Sequence, residues 1–153
     1  MSTDASGAEI ALVPGVVGVH HIGIAVRDLD AALKRWVGLL GAHIELRAVV
    51  EDQGVEAVCL EWAGAPGGAM IELVAPHGVD SRFAAALNKR GEGMHHIAWE
   101  VEDVAVALAS LAHAGARVID AEPRMGLHGT PVAFVHPSTG GGVLIELVQS
   151  PRS

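Results

Sequence analysis

VHHIGIAVRDLDAAL, residues 19–33, and MHHIAWEVEDVAVAL, residues 94–108, decide the fold between them. They align His-His-Ile on His-His-Ile, so the chain carries one unit twice. The far end of the unit recurs as well, as IELVAP from Ile71 and IELVQSP from Ile145, one residue closer together than the histidine pairs. Two modules are expected, 18–76 and 94–149, preceded by an N-terminal extension, 1–17. The linker between them, 77–93, should hold a short helix capped by Asp80 or Ser81 and stopped by Gly91.

Periodicity reads alike in both copies. An opening strand ends at Val26 or Val101, and Asp28 and Asp103 follow as helix N-caps. Leu29, Leu33, Trp36, Val37 and Leu40 then form one apolar stripe up to Gly41, and Val104, Leu108, Leu111 and Ala112 repeat it up to Gly115. Three strands should follow each helix: 43–49, 55–62 and 69–75 in the first copy, 117–121, 130–136 and 142–149 in the second. The expected architecture is α+β, two tandem βαβββ modules whose sheets enclose a metal-binding cleft.

Strand parity separates the histidines of each pair. His20, Ile22, Ile24 and Val26 share an apolar face suited to the helix, whereas His21, Gly23 and Ala25 share the other. His96 and Ala98 stand where His21 and Gly23 do, and these small neighbours leave room beside both rings. An acid interrupts an apolar strand in both copies, Glu72 in AMIELVA and Glu146 in VLIELVQ. A carboxylate buried among Ile, Leu and Val is costly unless paired. A lone strand histidine or glutamate is ordinarily structural or solvated, but both types recur together. His21, Glu72, His96 and Glu146 therefore make a mixed N/O site for a divalent cation. Glu56 is a further acid at a strand start, with Pro131 at its counterpart, so it breaks the symmetry. The remaining histidines, His20, His43, His77, His95, His113 and His136, read as structural or surface residues. The loop at Arg124–Gly129 reads by itself as a turn.

Composition excludes other classes. The net charge is −8, with no Tyr, two Phe and three Trp, which leaves no basic groove or stacking platform for nucleic acid. Half of the 153 residues are hydrophobic and 18% charged, as a packed core requires. No apolar run is long enough for a membrane span, Cys59 is the single cysteine, and the first residues lack a basic leader; a cytoplasmic location is expected.

HHIGIAVRDLDAAL, EDQGVEAV, KRGEGMHHIAWEVEDV, DAEPRMGLHG and FVHPSTGGGVLIELVQ, in this order, resemble the vicinal-oxygen-chelate superfamily, and most closely its methylmalonyl-CoA epimerase family, over residues 18–149. The resemblance implies a metal-dependent epimerase that interconverts (R)- and (S)-methylmalonyl-CoA through an enolate. It implies His21, Glu72, His96 and Glu146 as metal ligands, with Glu146 and Glu56 as the pair of acid/base groups. His128 is expected near the thioester, and Lys89, Arg90 and Arg124 are basic residues available to the CoA phosphates. Co, Mn, Ni, Zn and Mg all suit such a site, with Co favoured by the resemblance, and a homodimer is implied. The chain departs from the family at His20, where Asp is common, and at Arg35-Trp36, where paired aromatics are common. The fold also admits a glyoxalase-type isomerase, an Fe(II) dioxygenase, or a metal-free small-molecule-binding or resistance protein.

Overall fold

The computed structural model describes residues 12–149 and 151. Most of the expected N-terminal extension, residues 1–11, lies outside the described residues. The chain forms two compact units. One is continuous, Val19–Ala98; the other joins the chain up to Gly18 with the chain from Trp99 onward.

In the continuous unit, β1 (Val16–Ala25, entering at residue 19) leads to α1 (Leu29–Trp36), then β2 (His43–Val50), β3 (Val55–Glu61) and β4 (Met70–Pro76). Helix α2 (Arg82–Arg90) and most of β5 (Gly93–Val101) complete it. The strands lie in the order β2-β3-β4-β1-β5. β1 runs parallel to β4 with Gly23 opposite Glu72, and β3 runs antiparallel to β4 with Cys59 opposite Glu72. The Asp28 carboxylate accepts from Ala31 N–H and starts α1 as expected. Of the two cap candidates for α2, Ser81 is the one used, accepting from Ala84 N–H, and Gly91 ends the helix at φ +78°. Leu29, Ala32 and Leu33 of α1 pack on Val26, Val58, Leu60, Leu73 and Ala75. That cluster takes alternate residues of each strand and leaves the opposite sheet face to the candidate site.

The other unit follows the same plan with α3 (Val104–His113), β6 (Arg124–Met125), β7 (Pro131–Val135) and β8 (Leu144–Gln149). Asp103 caps α3 by accepting from Val106 N–H. Val104, Ala107 and Leu108 pack on Ala133, Val135 and Leu147, a cluster built from the corresponding elements of this unit. β7 is antiparallel to β8, with Phe134 opposite Glu146.

One expected strand differs. Residues 117–121 are reduced to an isolated bridge between Val118 and Val135. Ile119 and Asp120 both donate their N–H to the Phe134 carbonyl, while the Asp120 carboxylate accepts from Phe134 N–H at 2.7 Å. The side chain supplies a bond that a regular ladder would take from backbone, and pairing resumes only at Arg124. α1 also ends at Trp36 rather than running on to Gly41; the last part of its stripe continues as turns. No helix among the described residues is long and apolar enough to cross a membrane.

Candidate active site

On the sheet face away from α1, three side chains of the continuous unit converge. His21 on β1, His96 on β5 and Glu72 on β4 are all buried, at 2%, 3% and 9% exposure. The Nε2 atoms of His21 and His96 lie 3.0 Å apart. Glu72 spans both rings, with Oε2 3.3 Å from His21 Nε2 and Oε1 3.8 Å from His96 Nε2. Buried Cys59 donates its thiol toward Glu72 Oε2 at 3.9 Å.

Gly23 makes this convergence possible. A Cβ there would overlap the His96 ring, at Cε1, Nδ1 and Nε2 alike. The ring occupies the space above a strand position that has no side chain. Its counterpart in the second copy is buried Ala98.

The donor set fits a divalent cation. At metal bonds of about 2.1 Å, neighbouring ligand atoms lie about 3.0 Å apart in an octahedron and about 3.4 Å apart in a tetrahedron. The three separations observed, 3.0, 3.3 and 3.8 Å, bracket that range with little adjustment. Two imidazoles and a carboxylate, excluded from water and with no Lys or Arg in the strand runs that carry them, are the chemistry of an N/O metal site.

Apart from Glu56, the remaining expected residues are carried by β6, the β6–β7 hairpin, β8 and α2. Glu146 is buried on β8, on the face opposite the α3 cluster, as Glu72 is relative to α1. Phe134 is its cross-strand neighbour, and the Arg124 guanidinium lies 5.1 Å from the centroid of the Phe134 ring. Arg124 pairs with Asp120 at 3.5 Å, and its Nε is buried without a hydrogen-bond partner among the described residues. His128 is half-buried in the β6–β7 hairpin, whose ends are tied by Gly126 N–H donating to Thr130 O. Lys89 and Arg90 are exposed in the last turn of α2.

Glu56 does not join the triad. It shares a β3 face with Val58 and Leu60, both in the α1 cluster, and therefore points away from Cys59 and Glu72. Its carboxylate accepts from Arg47 Nε at 2.6 Å, and Arg47 also donates to Asp30 on α1. The hydrogen bonds to Glu56 and then Asp30 hold Arg47 above its ordinary pKa. Glu56, expected to flank the reacting carbon, lies on the α1 side of β3. It is one end of an ion-pair strap on the helix face.

An acid that the sequence did not single out stands on the triad's face instead. The β2–β3 register slips between Ile44 and Leu46, and the extra residue is Glu45. Its carboxylate lies within 4.8 Å of Cys59 Sγ. A bulge is a register irregularity with no mark in the hydrophobic pattern, although the run HIEL, with an acid between Ile44 and Leu46, was its only trace.

A duplicated βαβββ plan with two histidines and a glutamate gathered on one sheet face defines a class, and sequence comparison agrees. The chain belongs to the glyoxalase/bleomycin resistance protein/dioxygenase superfamily, whose family profile matches residues 20–134. Its relatives narrow this to methylmalonyl-CoA epimerases. It is 35% identical to the mitochondrial methylmalonyl-CoA epimerase of Bos taurus over 98% of this chain and 87% of that one. It is 40% identical to the ethylmalonyl-CoA/methylmalonyl-CoA epimerase of Cereibacter sphaeroides over 86% and 96%. Among solved structures, methylmalonyl-CoA epimerase from Mycobacterium tuberculosis superimposes with a TM-score of 0.83 at 35% identity, covering 92% of this chain and 93% of that one. A variant of the Streptomyces coelicolor enzyme in complex with 2-nitronate-propionyl-CoA gives 0.82 at 37% identity, covering 90% and 99%.

Proposed function

We propose that this chain is an isomerase that interconverts (R)- and (S)-methylmalonyl-CoA by removing and returning the proton on the carbon between carboxylate and thioester. The observation that carries the reading is the buried His21–Glu72–His96 convergence, in a chain whose relatives include epimerases of such thioesters. These three residues would hold a divalent cation together with Glu146, and Co is our choice by family resemblance. When bound, the cation supplies Lewis-acid stabilisation of the negative charge that develops on the thioester oxygen.

Inversion requires proton transfer on both faces of the carbon. Glu146 serves one face. Glu45 serves the other, in place of Glu56, because it is the acid brought to the triad's side of β2. Arg124 has an unsatisfied buried Nε to offer an anionic group of the substrate, and His128 is a donor for the thioester oxygen. Lys89 and Arg90 meet the CoA phosphates. The enzyme acts as a cytoplasmic homodimer.

The reading is tested by NMR in D2O. The metal-loaded protein is expected to exchange the substrate's α-proton and invert its configuration, to stop on addition of EDTA, and to resume with Co²⁺. Absence of exchange by the loaded protein removes the proposal. Running ethylmalonyl-CoA beside methylmalonyl-CoA fixes the preferred substituent.

Glu45 and Glu56 are separated by a paired substitution. Glu45→Gln should slow inversion by about 10²-fold or more while one enantiomer still exchanges its proton with retention, the signature of losing one of two bases. Glu56→Gln should leave both rates within about twofold, since a strap on the helix face contributes no proton transfer. Equal losses in the two variants, or loss only in Glu56→Gln, refute the assignment.

A further inference from the structure

The vicinal histidines are not independent of the triad. His20 Nδ1 lies 2.8 Å from His21 Nδ1, and in the second copy His95 Nδ1 lies 2.9 Å from His96 Nδ1. Both pairs are edge-on, with rings inclined at 74° and 89° and centroids 5.1 and 5.2 Å apart. Neighbouring side chains on a strand ordinarily point to opposite faces. A repeated nitrogen-to-nitrogen approach at hydrogen-bond distance is therefore a built contact. His95 is further braced by the Phe83 ring of α2, at 5.1 Å between centroids.

We infer that His20 and His95 are positioning residues which fix the tautomers of His21 and His96, so that each inner ring presents a bare Nε2 to the cation. The inference rests on the reading of His21, Glu72 and His96 as cation ligands. Two nitrogens at 2.8 Å share one proton, which must sit on one ring or the other. An inner ring that gives its Nε2 lone pair to a cation carries its proton on Nδ1, so that N–H donates outward. The outer ring then accepts at Nδ1 and carries its own proton on Nε2. The same arrangement in both copies orients both nitrogen ligands. The position before the first ligand thus calls for an acceptor, which an apolar side chain would not provide.

The test measures Co²⁺ dissociation constants by chelator competition and ¹⁵N spectra of the histidine rings in the Zn²⁺-loaded protein. His20→Phe and His95→Phe keep a ring and remove the acceptor, and each should weaken Co²⁺ about 10- to 100-fold; His20→Asn and His95→Asn, with an acceptor oxygen, should restore most of that loss. The wild-type spectra should show His21 and His96 protonated at Nδ1, and His20 and His95 protonated at Nε2. Wild-type protein that binds no Co²⁺ overturns the ligand reading. Tight wild-type binding unchanged in the Phe variants, or the opposite tautomers, overturns the positioning role alone. The wild-type spectra decide the question even if a Phe variant does not fold.

Discussion

Glu146→Gln is expected to lower α-proton exchange by about 10²- to 10⁴-fold, the usual contribution of a positioned acid/base group. The change keeps the size of the side chain and one carbonyl oxygen, so burial on β8 opposite Phe134 is preserved. A glutamine cannot take the proton at pH 7, and it is a weaker metal ligand than a carboxylate. The two losses are told apart by measuring bound metal on the same preparation. Metal retained near stoichiometry with exchange lost assigns proton transfer to Glu146; metal and exchange lost together assign only ligation. Exchange at the wild-type rate sinks both roles.

Gly23→Ala should be almost as damaging, for a steric reason. The added methyl has no space, because the His96 ring already lies where the Cβ would be. Backbone preference is not at issue, since buried Ala98 occupies the matching strand position of the second copy. Relief requires His96 to swing away, which breaks its approaches to His21, Glu72 and His95 at once. Metal affinity should fall at least as far as loss of a ligand-orienting residue, about 100-fold, and overpacking should cost about 1–3 kcal/mol of stability. Chelator competition and thermal unfolding read the two effects. Unchanged affinity would show that the ring has slack the structure does not display.

Much of this site was legible because the sequence states it twice. The repeated His-His-Ile and IEL elements placed His21, Glu72, His96 and Glu146 at matching strand positions, and parity alone separated the inner histidines from the apolar face. The caps at Asp28 and Asp103 were readable because an N-cap is a local interaction. Non-local register was harder. Glu56 drew attention as an acid without a counterpart, yet it alternates with Val58 and Leu60, which α1 covers. Glu45 gained its place only through a slip against β3. The strand expected at 117–121 gave way because the Asp120 side chain competes for Phe134 N–H. His20 and His95 read as structural from parity, which says where a side chain starts but not that its ring turns back on its neighbour.

The two units differ in how they draw on the chain, and that bears on the order of synthesis. Val19–Ala98 is uninterrupted and contains all three residues of the triad. Its ladders among β1, β2, β3 and β4 are closed by residues made before Trp99 leaves the ribosome, so pairing can follow translation directly. The other unit takes residues from both sides of it; Glu102 N–H, for example, donates to Gly15 O. That early segment must wait for the whole first unit to be made before its partners exist.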